Sequence, residues 1–228
     1  MQEFFIALPV LLLSMVAHEY AHGYAALKQG DPTAALRGRL TLNPLRHIDP
    51  FLTVLMPLML FLASGGRVVF GGAKPVPVDP RNYRNYKRGD VIVSLAGIAV
   101  NLALFVACLV LSVAVGLLGK AVGGGGGALQ IVQRMFTWGV WLNLLLAFFN
   151  LIPVPPLDGS HVLYHVLPGR WAARYRTLGR YGFLVLLLLV FAAPGVLYTL
   201  LTPAFALQQI ACEVMVPHAI GPIPVCRL

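Results

Sequence analysis

Four apolar stretches, each long enough to cross a lipid bilayer, constrain the fold of this chain more than any other feature of its sequence. They lie at residues 3–27, 91–118, 130–152 and 182–202, and a kink is expected in the last at Pro194-Gly195. A membrane-spanning helix needs about 20 consecutive apolar residues. The sequence therefore predicts an all-α integral membrane protein, a polytopic helical bundle with about 4–6 membrane segments.

The composition leaves no room for a large soluble domain. Of the 228 residues, 58% are hydrophobic and only 11% are charged, whereas a soluble domain has about 25% charged residues. The formal net charge of +9 is not taken as a sign of nucleic-acid binding. Basic residues between membrane spans follow from the positive-inside bias of membrane proteins. We expect a lipid bilayer as the surroundings and no nucleic-acid partner.

A fifth apolar stretch, residues 51–63, is short for a span and contains Pro57. Its length is more typical of a re-entrant or interfacial segment. If it does not cross, residues 28–90 and 153–181 share one side and hold 14 of the 17 Lys and Arg residues. The positive-inside bias then predicts that both stretches are cytoplasmic. The N-terminus and the C-terminal tail of this multi-pass protein of the cell membrane are expected outside.

The three cysteines are too few for a disulfide framework. Cys108 lies in the second span and is interpreted as a small apolar filler. Cys212 and Cys226 lie in the C-terminal tail, and an oxidising space outside the membrane would permit a disulfide between them. From the residues alone, a disulfide and two unpaired thiols remain equally open.

The motif His18-Glu19-Tyr20-Ala21-His22 lies inside the first apolar stretch, after a run without charge at residues 4–17. Ionisable groups in bilayer hydrocarbon are costly, which favours a functional site. On a helix, His-Glu-x-x-His places both imidazoles on one face, where they can share Zn²⁺ with the glutamate beside them as general base. A chance match is the alternative, but it would have to bear the cost of burying these groups.

Asp158 is the predicted third metal ligand. Catalytic zinc usually has three protein ligands and one open position, and most of the eight acidic residues lie in loops or at chain ends. Asp158 instead follows the third span, where Pro153, Pro155 and Pro156 interrupt the helix. From the residues alone, a role as N-cap of a helix beginning at Gly159 is equally good.

Other polar residues in or near the spans have two interpretations each. Asn101, ten residues into the second span, is a candidate oxyanion donor, or else a hydrogen-bonding residue between helices. Asn150 is predicted to hold substrate backbone or the proline turn, and Asn143 to be structural. His161 and His165 are interpreted as interfacial histidines rather than a second zinc site.

The segment Pro75-Val76-Pro77 is predicted to be extended, or an edge strand, on the cytoplasmic side, because proline is confined to such positions in sheets. An extended segment of this kind could bind an unwound substrate by strand addition. A proline-rich interfacial loop is the alternative.

Several of these motifs together resemble the site-2 protease family of intramembrane zinc metalloproteases. The histidine motif resembles its metal-binding helix, and Asn150, Pro153 and Leu157-Asp158-Gly159 resemble its second metal motif. Residues 42–50 and 72–78 resemble its compact bacterial branch, and residues 96–101 resemble its Ala-Gly-Pro-x-x-Asn segment, with Ile98 where proline is usual. The resemblance covers roughly residues 14–165, and no PDZ or CBS domain is evident in the sequence.

This resemblance implies one Zn²⁺ per chain on His18, His22 and Asp158, and cleavage of transmembrane segments of membrane proteins within the bilayer. Glu19 is expected to take the proton of the attacking water, with Asn101 at the oxyanion as a second catalytic residue. Candidate substrates are single-span regulators, anti-sigma factors and signal-peptide remnants. The active site is expected toward the cytoplasmic side.

Two other functions use the same residues. A zinc or ion transporter would need polar groups on both sides of the metal, whereas residues 4–13 are almost bare of them. A catalytically silent scaffold that binds helices would have lost a ligand or the base, and none is lost. One domain is expected over residues 1–228, with a metal-binding core at about 3–167 and a C-terminal span and tail at about 182–228.

Overall fold

The computed structural model of the chain describes residues 2–55, 72–123 and 126–226, together with Met59 and Leu62. Helices dominate these ranges, and no strand occurs within them. In chain order the α-helices are α1 (Gln2–Gln29), α2 (Thr33–Leu36), α3 (Tyr86–Ala121), α4 (Gly126–Leu151), α5 (Gly159–Val166), α6 (Gly169–Leu178), α7 (Gly182–Phe191) and α8 (Pro194–Met215). Short 3₁₀ turns occur at Pro44–Arg46, Pro80–Asn82, Gly179–Tyr181, Val216–His218 and Pro224–Cys226.

Four helices in the described part of the chain are long and apolar enough to cross a membrane: α1, α3, α4, and α8 with the turn that follows it to His218. The first three coincide with the predicted spans. The prediction of an all-α polytopic membrane protein is therefore confirmed.

The fourth helix of membrane length differs from the prediction. We expected one kinked span at 182–202, but the chain leaves the helical conformation at Ala193, with φ −132° and ψ 50°, and a new helix starts with Pro194 in its first turn. Proline has no N–H for the preceding turn and disfavours helical backbone in the residue before it. The ten-residue α7 and the 22-residue α8 therefore replace the single kinked helix.

The predicted re-entrant segment at 51–63 lies partly outside the described residues. Within it, a π-helical turn covers Pro50–Leu55, and Met59 and Leu62 are helical. Whether the segment crosses the membrane stays a prediction. Residues 72–79 are irregular in structure rather than a strand.

The chain divides into two compact units, one of Met15–Gly97 and one of Met1–Ser14 with Ile98–Leu228. The first unit contains the C-terminal half of α1, α2, the following loops and the first turns of α3. Its buried hydrophobic cluster consists of Ala26, Tyr83 and Val93.

Asp31 fastens the loops of this first unit. It follows the turn at Gly30, whose φ of +111° suits a glycine. Its fully buried carboxylate accepts hydrogen bonds from the backbone and hydroxyl of Thr33, from Asn82 Nδ2 at 2.9 Å and from the Asp79 amide at 2.7 Å. These bonds tie the end of α1 to the segment that leads into α3.

In the second unit, the segment after α8 folds back onto the helices. Gln133 of α4 donates to the carbonyls of Ser112 and His218, each at 3.0 Å, and accepts from the Ile220 amide at 3.1 Å. A disulfide joins Cys212 and Cys226. The tail is thus a packed part of the unit. The buried cluster beneath it consists of Val140, Ala211, Met215, Ile223 and Val225.

Polar contacts fasten the first turns of α1 to α4 within the same unit. Glu3 forms a salt bridge with Arg134 and accepts from Trp138 Nε1 at 2.8 Å. Deeper along these helices, Asn143 Nδ2 donates to Ser14 Oγ at 2.9 Å. Asn143 is therefore structural, as predicted.

Candidate metal centre

His18 and His22 lie one turn apart on α1, so their imidazoles project from the same face of the helix. Their Nε2 atoms are 2.9 Å apart, and His18 is buried. Both rings thus direct a potential ligand atom to one point. This is the arrangement that the His-Glu-x-x-His spacing predicted.

The backbone of α3 orients the His22 ring. His22 Nδ1 lies 2.7 Å from the carbonyl oxygen of Val93. Because a carbonyl oxygen only accepts hydrogen bonds, Nδ1 carries the ring proton, and Nε2 is left with its lone pair toward His18. Metal-binding histidines are commonly held in this way by a hydrogen bond from the other ring nitrogen.

Gly97 allows α3 to pass directly beside both rings. A Cβ atom at this position would lie 2.5 Å from His18 Cε1 and 2.5 Å from His22 Nε2, closer than real Cβ contacts. The imidazoles therefore occupy the space that any side chain would fill. The sequence marked Gly97 only as part of a family-like segment and did not reveal this contact.

Glu19 is held by the proline loop, residues 74–77. The Val76 amide donates to Glu19 Oε2 at 2.7 Å. Pro75 and Pro77 have no N–H, so the Val76 amide is the one backbone donor between them. The structure thus brings the predicted general base together with the predicted substrate-binding segment.

Residues 39–47 support the proline loop from its other side. The Lys74 amide donates to the His47 carbonyl at 2.7 Å, and the Arg39 guanidinium donates to the Lys74 carbonyl at 2.9 Å. His47 itself is buried, and its Nε2 lies 2.9 Å from the Thr41 carbonyl oxygen. The N–H and the carbonyl group of Lys74, the residue before Pro75, are therefore both hydrogen-bonded, which fixes the loop that contacts Glu19.

Asp158 belongs to the other unit and occupies the N-cap position of α5. Its backbone is helical, with φ −58° and ψ −39°, and its side chain makes no capping hydrogen bond. The tight turn before α5 depends on Gly159, where a Cβ would lie 2.1 Å from the Leu151 carbonyl oxygen. The half-buried Asp158 carboxylate is thus not used as a helix cap.

The two asparagines predicted for catalysis and substrate binding also lie in this second unit. Asn101 is fully buried on α3. Asn150 Nδ2 donates to the Leu146 carbonyl at 2.9 Å, which commits that amide group to its own helix. Their roles toward substrate stay predictions.

The histidine pair fits a zinc ion. Two nitrogen ligands of a tetrahedral Zn²⁺, with bonds of 2.0–2.1 Å, are separated by about 3.3 Å, and the two Nε2 atoms are 2.9 Å apart. A small outward rotation of the rings would accommodate the ion. Two imidazoles with one carboxylate are also a usual donor set for catalytic zinc.

Comparison with known proteins agrees with this chemistry. The model of peptidase family M50 matches residues 5–190. Relatives named "Putative zinc metalloprotease" include YwhC of Bacillus subtilis, 40% identical over 182 residues that cover 78% of this chain and 77% of YwhC. Rip2 of Mycolicibacterium smegmatis is 32% identical over 187 residues, covering 82% of this chain and 67% of Rip2. Rip2 of Mycobacterium tuberculosis H37Rv is 35% identical over 184 residues, covering 80% and 65%.

No solved structure matches this chain. The family model covers most of its length, and YwhC exceeds 30% identity over more than two thirds of it. Together with the four helices of membrane length, these matches identify a membrane-embedded zinc metalloprotease. The chain therefore belongs to peptidase family M50, the site-2 protease family.

Proposed function

We propose that this protein is an endopeptidase that cleaves transmembrane segments of other membrane proteins, with its active site inside the bilayer. The observation that carries the proposal is the convergence of His18 Nε2 and His22 Nε2 on a helix of membrane length. The intervening Glu19 is aligned by the Val76 amide. A soluble substrate would not require this chemistry to lie within an apolar helix.

His18, His22 and Asp158 are the proposed zinc ligands. The two histidines are supported by their geometry, and Asp158 is supported by its family-like motif. When bound, zinc supplies Lewis-acid chemistry that polarises a carbonyl and lowers the pKa of water. Its nitrogen ligands are kept in the required tautomer by contacts such as that between His22 and Val93.

Glu19 is the proposed general base and acid. It takes a proton from the attacking water and delivers it to the leaving amine. Its Oε2 accepts from the Val76 amide, which holds that oxygen in place before substrate arrives. Asn101, buried on α3, is the proposed donor to the oxyanion.

Substrate binding is assigned to the segment Pro75, Val76 and Pro77 and to Asn150. A peptide bond in a membrane helix is shielded by its own hydrogen bonding and by the absence of water. The substrate must therefore unwind near the site, and the proline loop beside Glu19, which belongs to no sheet, is the proposed segment that receives it. The proposed substrates are single-span regulators, anti-sigma factors and signal-peptide remnants, which each contain a membrane-spanning segment.

The proposed orientation in the cell membrane places the active site toward the cytoplasm and both termini outside. The support is the asymmetry of Lys and Arg in the sequence. The disulfide between Cys212 and Cys226 agrees with an oxidising space at the C-terminal end.

The deciding experiment compares wild type, Glu19→Gln and Tyr20→Phe in detergent with a helical transmembrane substrate. Glu19→Gln should retain zinc and lose cleavage by at least about a hundredfold, because the amide cannot take the proton. Tyr20→Phe, next to it on α1, should cleave like wild type. Cleavage by Glu19→Gln at the wild-type rate would refute the assignment of the base.

A further inference from the structure

An open, mainly apolar cavity of about 480 Å³ lies on the second unit, where α6 packs beside α5. Small residues of α6 form part of its lining, and Tyr164, Arg176, Thr177 and Arg180 supply the polar part. We call it the arginine pocket. Tyr175 on the same helix donates to the Pro153 carbonyl at 3.0 Å, which fixes α6 against the proline turn.

The donors of the arginine pocket are cationic. Arg176 and Arg180 are four residues apart, so both guanidiniums can reach the same cavity. The Arg176 guanidinium lies 4.6 Å from the centre of the Tyr164 ring, a cation–π contact that orders the side chain before any ligand binds. The Thr177 hydroxyl donates to the Arg174 carbonyl at 2.6 Å and is committed to the helix.

The stretch of sequence that contains the arginine pocket has no acidic residue to neutralise the arginines. Residues 159–212 contain four arginines and no aspartate or glutamate. No acidic residue is present in the lining that the structure describes. Two guanidiniums in one concave site favour an anion with several oxygens, and a phosphate matches the bidentate donor geometry of arginine.

The surroundings of the arginine pocket are those of a membrane surface. One residue, Tyr181, separates Arg180 from α7, Gly182–Phe191, which contains no polar side chain. Trp171 on α6 is 51% exposed and Tyr181 is 54% exposed. Aromatic residues at such positions are typical of the level of the lipid head groups. An amphipathic helix with arginines and an exposed tryptophan commonly lies in this interface.

We propose that the arginine pocket binds the phosphate group of an anionic phospholipid, held between Arg176 and Arg180. A soluble phosphate would offer the same oxygens, but the apolar helix α7 directly beyond Arg180 is suited to acyl chains. The bound lipid would anchor α6 at the surface where the proline turn before Asp158 ends. This site shares no residue with the proposed metal ligands and does not depend on the cleavage reaction.

The test measures binding of phosphatidylglycerol to the full-length protein in detergent by native mass spectrometry, with phosphatidylcholine as the neutral comparison. Wild type should prefer phosphatidylglycerol and bind one molecule at the strongest site. The double variant Arg176→Gln with Arg180→Gln should lose at least about tenfold in affinity. The matched control, Arg170→Gln with Arg174→Gln, removes the same charge from α6 outside the pocket lining and should stay within about twofold of wild type.

Equal losses in the two double variants would overturn the proposal, because they would show only a general surface charge. Competition on wild type tests it without any variant. Inorganic phosphate at millimolar concentration should not displace phosphatidylglycerol, whereas displacement would reassign the arginine pocket to a soluble phosphate compound. Equal binding of phosphatidylcholine by wild type would also overturn the proposal.

Discussion

The backbone amide of Val76 donates a hydrogen bond to Oε2 of Glu19 across 2.7 Å. This contact joins a loop far along the chain to the acidic residue of the metal-binding helix. It positions one of the two carboxylate oxygens. The predicted base is thus pre-oriented by a main-chain group rather than by another side chain.

Replacing Val76 by proline should remove this donor and lower kcat by about ten- to a hundredfold, since a hydrogen bond to a charged group is worth about 1.5–3 kcal/mol. Zinc content should be unchanged. Val76→Ala keeps the amide and loses only side-chain packing, so it should retain most of the activity. Steady-state cleavage kinetics of both variants check this. Equal kcat in the two would show that the hydrogen bond does not matter.

Gly97→Ala should weaken zinc binding by at least about tenfold, a usual effect of disturbing the groups that orient metal ligands. The added methyl group would lie 2.5 Å from both imidazoles and push them apart. Gly119→Ala on the same helix is a suitable control, since its Cβ would meet only the flexible Ile220 side chain at 2.6 Å. Competition with a chromogenic chelator measures the zinc affinity. A zinc affinity equal to that of wild type in Gly97→Ala would mean that α3 moves to make room for the methyl group, and the prediction would be wrong.

Asp158→Ala should abolish stoichiometric zinc. Loss of an N-cap costs about 1 kcal/mol, and this particular cost should not appear, because the Asp158 side chain makes no capping hydrogen bond to α5. Metal analysis by mass spectrometry and the unfolding temperature of the metal-free protein give the two readouts. Full zinc content with a lowered unfolding temperature would instead assign Asp158 a purely structural role.

Asp31→Asn should destabilise the protein more at pH 7 than at low pH. Burial by itself raises the pKa of Asp31, but hydrogen bonds from Thr33, Asn82 and Asp79 outweigh it and hold the pKa below its usual value of 3.8. A lowered pKa in the folded state adds stability above the unfolded-state value, and this stability is lost as the pH falls through the folded-state pKa. The asparagine variant also places an N–H group against a backbone donor, at a cost of about 1.5–3 kcal/mol.

Thermal unfolding in detergent at pH 7 and pH 3 tests this difference. The gap in unfolding temperature between wild type and Asp31→Asn should narrow at pH 3, which lies below the usual carboxyl pKa of 3.8 that applies in the unfolded state. Asp79→Asn is the control, because its pair with the largely exposed Arg81 is screened by solvent and should contribute little. A gap of constant size would show that the charge of Asp31 is not what stabilises the loops.

Cysteine labelling should reveal opposite sides for the loop after α1 and for the tail. In intact cells, Cys212 and Cys226 should react with a membrane-impermeant maleimide only after external reduction. A cysteine at Leu36, which is 81% exposed, should react only after permeabilisation. Cys108→Ala provides the background. Labelling of the Leu36→Cys variant in intact cells would reverse the proposed orientation.

The sequence was sufficient for the first three spans because long apolar runs need no tertiary information to be recognised. It was insufficient for α8, most of which lies beyond the predicted span at 182–202, in the stretch that we expected to be the C-terminal tail. In the structure Gln208 is buried and donates to the Val225 carbonyl at 3.3 Å. The side-chain N–H of that residue therefore finds its acceptor in a packed segment that local sequence does not reveal.

The site shows the same division. His18, Glu19 and His22 follow from spacing on one helix, and the fit of the two rings to a metal follows with them. The contacts from Val93 and Val76 involve backbone atoms, which have no signature in the side-chain sequence. The close approach at Gly97 depends on the path of α3 past α1, which becomes visible only in three dimensions.

The backbone donors of the proline loop also affect the tendency of this protein to aggregate. The Lys74 and Val76 amides are both used internally, and the prolines that alternate with them have none. A segment with no spare backbone donor is a poor template for strand-to-strand aggregation. A substrate backbone that pairs with this loop must donate its own N–H groups to carbonyl oxygens of the loop, because the loop has no spare N–H to donate in return. Such one-sided pairing would be weaker than pairing with a full strand, which favours release of the cleaved product.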